Sequence, residues 1–78
     1  MTKEEFKTTV KDLAGKLRKE HPELRKGQAI FNVADHEFGV ARICQFDYGV
    51  DCFYDDSIIE PFLDKCYEIY HQTFDNNE

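Results

Sequence analysis

A chain of 78 residues with 41% hydrophobic and 14% aromatic residues fits one small globular domain and is too apolar for a disordered chain. Such a domain buries only about 60% of its unfolded surface, so helix association or a homodimer contact would supplement its thin core. The net charge of −6 hides two opposite halves, because residues 1–26 carry +3 and residues 27–78 carry −9. We expect attraction between these halves, or an acidic face that binds a basic partner rather than nucleic acid directly.

The chain has no feature of a secreted or membrane protein. Met1 to Glu5 is charged, and neither an apolar signal segment nor an apolar run of membrane-spanning length follows. Cys44, Cys52 and Cys66 are odd in number and lack a Cys-x-x-Cys spacing, which predicts reduced thiols and a cytoplasmic protein without membrane contact. We expect a single helical domain over residues 1–78, with a frayed tail at about 75–78.

The first helix is predicted by a capping box, Thr2-x-x-Glu5, in which each residue bonds the backbone N–H of the other. It should end near Pro22. Its apolar positions recur at helical spacing and are Phe6, Val10, Leu13, Ala14 and Leu17.

The second helix is predicted to hold Pro22 in its first turn and to stop at Gly39, a natural left-handed residue. Its apolar positions are Leu24, Ala29, Ile30, Val33 and Phe38.

The pattern of residues 40–47 permits a short helix or a strand, and Tyr48-Gly49 ends this element. The last helix should begin between residues 57 and 60, since Ser57-x-x-Glu60 offers a capping box and Pro61 must lie in the first turn. Together the elements predict an all-α fold: a compact bundle of three longer helices plus a short one, with an aromatic–acidic loop before the last helix. Apolar residues of the last helix are Phe62, Leu63, Cys66, Ile69, Tyr70 and Phe74.

The most specific part of the chain is residues 46–56, where four aromatic residues and four aspartates occur together. Aromatic residues at this density are normally buried, whereas aspartates need water or partners. This loop must therefore be fixed by the rest of the fold or present itself to another molecule.

Two sequence motifs carry a family resemblance. Residues 25–29, Arg-Lys-Gly-Gln-Ala, and residues 51–56, Asp-Cys-Phe-Tyr-Asp-Asp, are followed by Phe62-Leu63. This pattern resembles a group of short uncharacterised bacterial and phage proteins with an Arg-x-Gly-Gln-Ala segment, an Asp-Pro-Phe-Tyr-x-Asp segment and a closing Phe-Leu. The resemblance spans residues 22–64 and departs at Cys52, where the group has proline, which implies a less rigid loop here. It implies a shared fold and no mechanism.

The motif residues have a structural interpretation, in which polar side chains of the second helix clasp the 51–56 loop. Gln28 and Asn32 share a helical face and can bond loop backbone, while Gly27 and Ala29 leave room for a close neighbour. Arg25 can reach Asp55 or Asp56 with a bidentate pair. The alternative is that the same polar residues form a ligand site. The predicted clasp comprises Arg25, Gln28, Asn32, Asp51, Phe53 and Asp55.

Neither catalysis nor a cofactor is predicted. Asp47, Asp51 and Asp55 lack the glycine and closing glutamate of a calcium loop. The cysteines and histidines do not stand at zinc-ligand spacing, and no phosphate-binding glycine loop is present.

We therefore expect a small non-catalytic accessory domain that binds another protein. The alternatives are an acidic inhibitor that mimics nucleic acid in a basic groove and, last, a small-molecule-binding or enzymatic protein. Exposed carboxylates and tyrosines would form the contact. The predicted partner surface comprises Tyr48, Tyr54, Asp55, Asp56 and Glu60.

Overall fold

The fold is known from a computed structural model, which describes residues 1–50, 52 and 55–75. Within these residues the chain forms four α-helices and no strand, so the all-α prediction is confirmed and residues 41–48 are helical. A 3₁₀ turn, Asp56–Ile58, leads into the last helix, and a π-helical turn, His71–Asp75, continues it. The helices are α1 Lys3–Glu20, α2 Lys26–Phe38, α3 Ala41–Tyr48 and α4 Ile59–Tyr70.

Helix α1 begins and ends where the sequence predicts. Thr2 Oγ1 accepts a hydrogen bond from Glu5 N at 3.1 Å, and Glu5 Oε1 accepts one from Thr2 N at 2.8 Å. This capping box satisfies two backbone donors that a helix start leaves free. At the other end, His21 N donates to the Leu17 carbonyl at 2.9 Å, and Pro22 follows.

The predicted start of α2 is wrong, because Pro22 precedes the helix instead of lying in its first turn. Leu24 N donates to the His21 carbonyl at 3.0 Å, so residues 21–24 form a turn with proline at its second position, which proline also favours. Arg18 Nε holds this turn by donating to the Leu24 carbonyl at 3.2 Å. The helix then begins at Lys26.

Two glycines end helices in the left-handed conformation, as predicted. Gly39 closes α2 with φ 67° and Gly49 closes α3 with φ 68°. The start of α4 at Ile59 and the place of Pro61 in its first turn are also confirmed. The Ser57 capping box is wrong, since Asp55 Oδ1 accepts from both Ser57 N at 2.9 Å and Ser57 Oγ at 2.6 Å and thereby caps the 3₁₀ turn.

The core lies where α1, α2 and α4 meet, and α3 closes one side. Phe6 is fully buried and contacts the rings of Phe38, Tyr67 and Tyr70, with centroids 4.9, 5.7 and 5.6 Å away. Phe31 of α2 stacks on Phe62 of α4 at 5.7 Å. The predicted apolar positions of α1 and α4, and those of α2 from Ala29 to Phe38, are buried or pack against the core. Leu24 is half-buried in the turn before α2 and is not part of the core, and the side chain of Phe74 lies outside the described set. The core also contains buried residues that were not among the predicted apolar positions, namely Phe31, Ala34, Ala41 and Ile59.

Candidate functional site

The loop before α4 lies against the first turn of α2, and the contact is centred on Gly27. Gly27 N donates to Asp56 Oδ1 at 2.9 Å, so a carboxylate satisfies a free donor at the helix start, where negative charge is favourable. In return the Cys52 thiol donates to the Gly27 carbonyl at 3.3 Å. A Cβ on residue 27 would overlap the Cys52 carbonyl oxygen, which confirms that this position needs glycine for a close neighbour.

The described residues of the predicted clasp do not form one shared contact with the loop. Gln28 Oε1 accepts from Arg25 N at 2.9 Å, so it caps its own helix. Asn32 is half-buried and lines a groove between α1 and α2. The two hydrogen bonds from Ser57 lower the pKa of the Asp55 carboxyl, and the nearby charge of Arg25 lowers it further by a smaller amount. Asp51 and Phe53 lie outside the described residues, so the complete clasp stays a prediction.

At the position where the predicted family pattern has proline, Cys52 contributes a side-chain hydrogen-bond donor to this contact. Proline has no side-chain donor, whereas the Cys52 thiol bonds α2. The side chains of Cys44, Cys52 and Cys66 are all buried, and none of the three forms a disulfide. A hydrogen bond with the Cys44 thiol, together with burial, raises the pKa of Cys66. A raised pKa keeps the Cys66 thiol protonated and unreactive, so Cys66 serves packing.

The attraction expected between the two halves of the chain is present at the α1–α4 contact. Lys7 Nζ lies 2.6 Å from Asp64 Oδ1 and 3.2 Å from Glu60 Oε1, and Lys11 Nζ lies 2.7 Å from Glu60 Oε2. Lys7 is largely buried by this arrangement, with 14% of its side chain exposed. Lys7 and Lys11 of α1 therefore neutralise carboxylates of the acidic part of the chain, which we had expected to bind a basic partner.

The predicted acidic partner surface is accordingly engaged within the domain. Asp56 bonds α2, Asp55 bonds Ser57, and Glu60 pairs with two lysines. Tyr48 is half-exposed, and Lys65 Nζ of α4 lies 4.6 Å from its ring centroid. Tyr54 lies outside the described residues.

The exposed apolar surface is concentrated on α3. Among described residues the large exposed hydrophobic side chains are Met1, Ile43, Phe46 and Tyr48, so three of the four lie on one eight-residue helix. Phe46 is 78% exposed and Ile43 39%. These two residues are three positions apart and share the outward face, while Ala41 and Cys44 face the core. We call Ile43 and Phe46 the α3 face; Tyr48 stands at its end.

No protein-family model, curated protein or solved structure matches this chain. The resemblance to the bacterial and phage group thus stays a prediction.

Two further properties concern the described part of the chain only. No helix in it has both the length and the apolar character to cross a membrane. Within residues 1–50, 52 and 55–75, no three His, Cys, Asp or Glu side chains converge as a metal-ligand set.

Replacing Lys7 by methionine should lower the free energy of unfolding by about 1 kcal/mol at pH 7, since the aliphatic stem is kept and two ion pairs are lost. The Lys11 and Lys7 ammonium groups hold the pKa of Glu60 below its ordinary 4.5, and the Asp64 carboxylate raises the pKa of Lys7 above 10.5. The Glu60 contribution is present above pH 4.5 and is lost as the pH falls through the lowered pKa. The Lys7 contribution is also lost as the pH rises through the raised pKa of Lys7.

Urea denaturation of both proteins at pH 7 and pH 3 measures this contribution. Their difference should shrink strongly at pH 3 and in high salt. Lys3→Met is the matched control, because Lys3 is exposed and has no ion-pair partner among the described residues. An equal loss at both pH values would assign the effect of Lys7→Met to packing instead of charge.

Proposed function

We propose that this chain is a non-catalytic cytoplasmic domain that binds another protein through the α3 face. The carrying observation is the 78% exposure of Phe46 beside Ile43 on a short helix that buries only Ala41 and Cys44. Single exposed hydrophobic residues are ordinary, but large ones gathered on one helix mark interaction surfaces. Aromatic residues are also enriched at the centres of protein interfaces.

A cytoplasmic location is supported by cysteine chemistry. Cys44, Cys52 and Cys66 are buried outside any disulfide, and protein thiols persist in reducing compartments.

The choice of the α3 face over a nucleic-acid-mimicking acidic array rests on charge compensation. Mimicry needs exposed carboxylates with uncompensated charge, whereas Glu60 and Asp64 of α4 are paired with lysines of α1. Glu68 is paired with Lys65 at 3.0 Å. An interface centred on Phe46, with Tyr48 beside it, is therefore the better supported proposal.

The double substitution Ile43→Ser and Phe46→Ser should leave stability within about 0.5 kcal/mol, because both side chains face solvent. It should weaken binding of the partner by about tenfold or more, as loss of central aromatic contacts does. Affinity capture from native cells with wild-type and variant chains identifies the partner. Calorimetric titration with the purified partner then measures the change in Kd.

The matched control is Thr8→Ser with Lys19→Ser, a double change at exposed α1 positions. It should retain the partner. A captured protein that the α3 variant holds as tightly as wild type would refute this surface. If Phe46→Ser instead abolishes self-association of the purified chain in sedimentation experiments, the partner is a second copy.

A further inference from the structure

A concave surface distinct from the α3 face lies between the C-terminal halves of α1 and α2. It is a groove of about 620 Å³, and residues of the 21–24 turn close one end. Leu13, Leu17 and Leu24 are half-buried there, so their apolar atoms remain accessible along the floor, whereas Val33 is buried. The floor residues are Leu13, Leu17, Leu24 and Val33.

The rim of the groove is acidic, although it borders the basic half of the chain. Four carboxylates line it against one lysine, Lys16, and two histidines, of which His21 lies 3.5 Å from Glu23. Asp35 is paired with Arg42 at 3.4 Å, whereas Glu20 and Glu37 have no ion-pair partner among the described residues. The rim carboxylates are Glu20, Glu23, Asp35 and Glu37.

This distribution is the reverse of that at α4. There the lysines of α1 compensate the carboxylates, whereas the opposite flank of α1 borders the groove with Glu20 uncompensated. A cationic group entering the groove would meet an unpaired carboxylate on each wall, Glu20 on α1 and Glu37 on α2. Charge complementarity therefore specifies a basic occupant.

The length of the groove along α1 matches about two turns of a helix. Leu13 and Glu20 are seven residues apart on α1, which corresponds to about 10 Å along the axis. Apolar residues at positions i, i+4 and i+7 of an incoming helix cover the same length, and a groove between two packed helices is a recurring site for such a face. We infer that the α1–α2 groove binds an amphipathic helix of another protein, with a narrow apolar stripe flanked by lysine or arginine.

The probe is a synthetic peptide of about 14 leucine and lysine residues, with leucines at i, i+3, i+4 and i+7 so that it can form a basic amphipathic helix. Calorimetry measures its Kd for the full chain, and amide chemical shifts locate its site. Binding is expected, with the largest shifts at residues of α1 and α2 that line the groove. A peptide of the same composition with scrambled order should bind about tenfold more weakly or less, since it lacks the apolar stripe.

Charge reversal separates specific binding from attraction to an acidic protein. Glu20→Lys with Glu37→Lys should weaken peptide binding by about tenfold or more, and both residues are exposed, so the fold should persist. Glu4→Lys with Glu68→Lys changes the net charge equally at exposed positions outside the groove and should alter Kd less than about twofold.

Equal weakening by both double variants, or equal binding of the scrambled peptide, would overturn the inference. Shifts confined to α3 would do the same, because they would place the peptide on the α3 face. The Ile43→Ser, Phe46→Ser variant should bind the peptide as wild type does, so this inference and the proposed function can fail separately.

Discussion

Replacing Phe6 by alanine should lower the free energy of unfolding by about 3–5 kcal/mol, the range for removing a buried phenylalanine. Phe6 has no exposed surface, and its ring joins Phe38 of α2 to Tyr67 and Tyr70 of α4. The substitution therefore removes ring contacts to two other helices at once. A small domain has only a few kcal/mol of stability to lose, so a large unfolded fraction is expected at 37 °C.

Urea denaturation followed by circular dichroism measures this loss. Phe6→Leu is included because it keeps an apolar side chain and should fold with a smaller loss. Tyr67→Phe is the matched control, since it keeps the ring and removes only the exposed hydroxyl that donates to the Met1 carbonyl. A loss below about 1 kcal/mol for Phe6→Ala would mean that the aromatic cluster does not hold α1 to α4.

Replacing Gly27 by alanine should lower stability by about 2–3 kcal/mol, although alanine is the better helix former. The added Cβ would overlap the Cys52 carbonyl oxygen and lie 2.6 Å from Asp56 Oδ1. The Asp56 side chain can rotate, but the Cys52 carbonyl is backbone, so the loop itself must shift. Both hydrogen bonds of Gly27 to the loop are then lost.

Gly15→Ala is the matched control within the same chain. Gly15 is exposed in α1, and nothing lies within 4 Å of a Cβ built there. Alanine at that position should raise stability by about 1 kcal/mol through helix propensity alone. Comparable gains for both substitutions in thermal and urea denaturation would show that the loop does not press on α2 at Gly27.

Local signals in the sequence predicted the helices because each has a local physical cause. The Thr2 capping box and the glycines at 39 and 49 satisfy or terminate backbone within a few residues of themselves. The prediction from Pro22 was wrong because proline suits a turn as well as a helix start. The turn is stabilised by Arg18 of the preceding helix, which bonds the Leu24 carbonyl. Sequence spacing does not report such a bond.

The interaction surfaces were less predictable because exposure depends on how helices are placed. Ile43 and Phe46 are residue types that are usually buried. They face solvent here because Ala41 and Cys44 are the residues of α3 that pack against the core. The glycine signal at residue 27 correctly indicated a close neighbour, but Asp56 and Cys52, rather than Asn32, make the described contacts. The uncompensated charge of the predicted acidic surface was overestimated, because a count of charged residues does not show that Glu60 pairs with Lys7 and Lys11.

The contact between α1 and α4 also affects how the chain folds. Phe6 and Tyr70 touch although they are 64 positions apart, whereas α1 and α2 are joined by a short turn. Closing a loop of that length costs more conformational entropy than closing a helical hairpin, so the α1–α2 hairpin can form early and the docking of α4 comes later. Substitutions at the α1–α4 contact should then accelerate unfolding more than they slow folding. Resistance to unfolding is thus concentrated where the two ends of the chain meet.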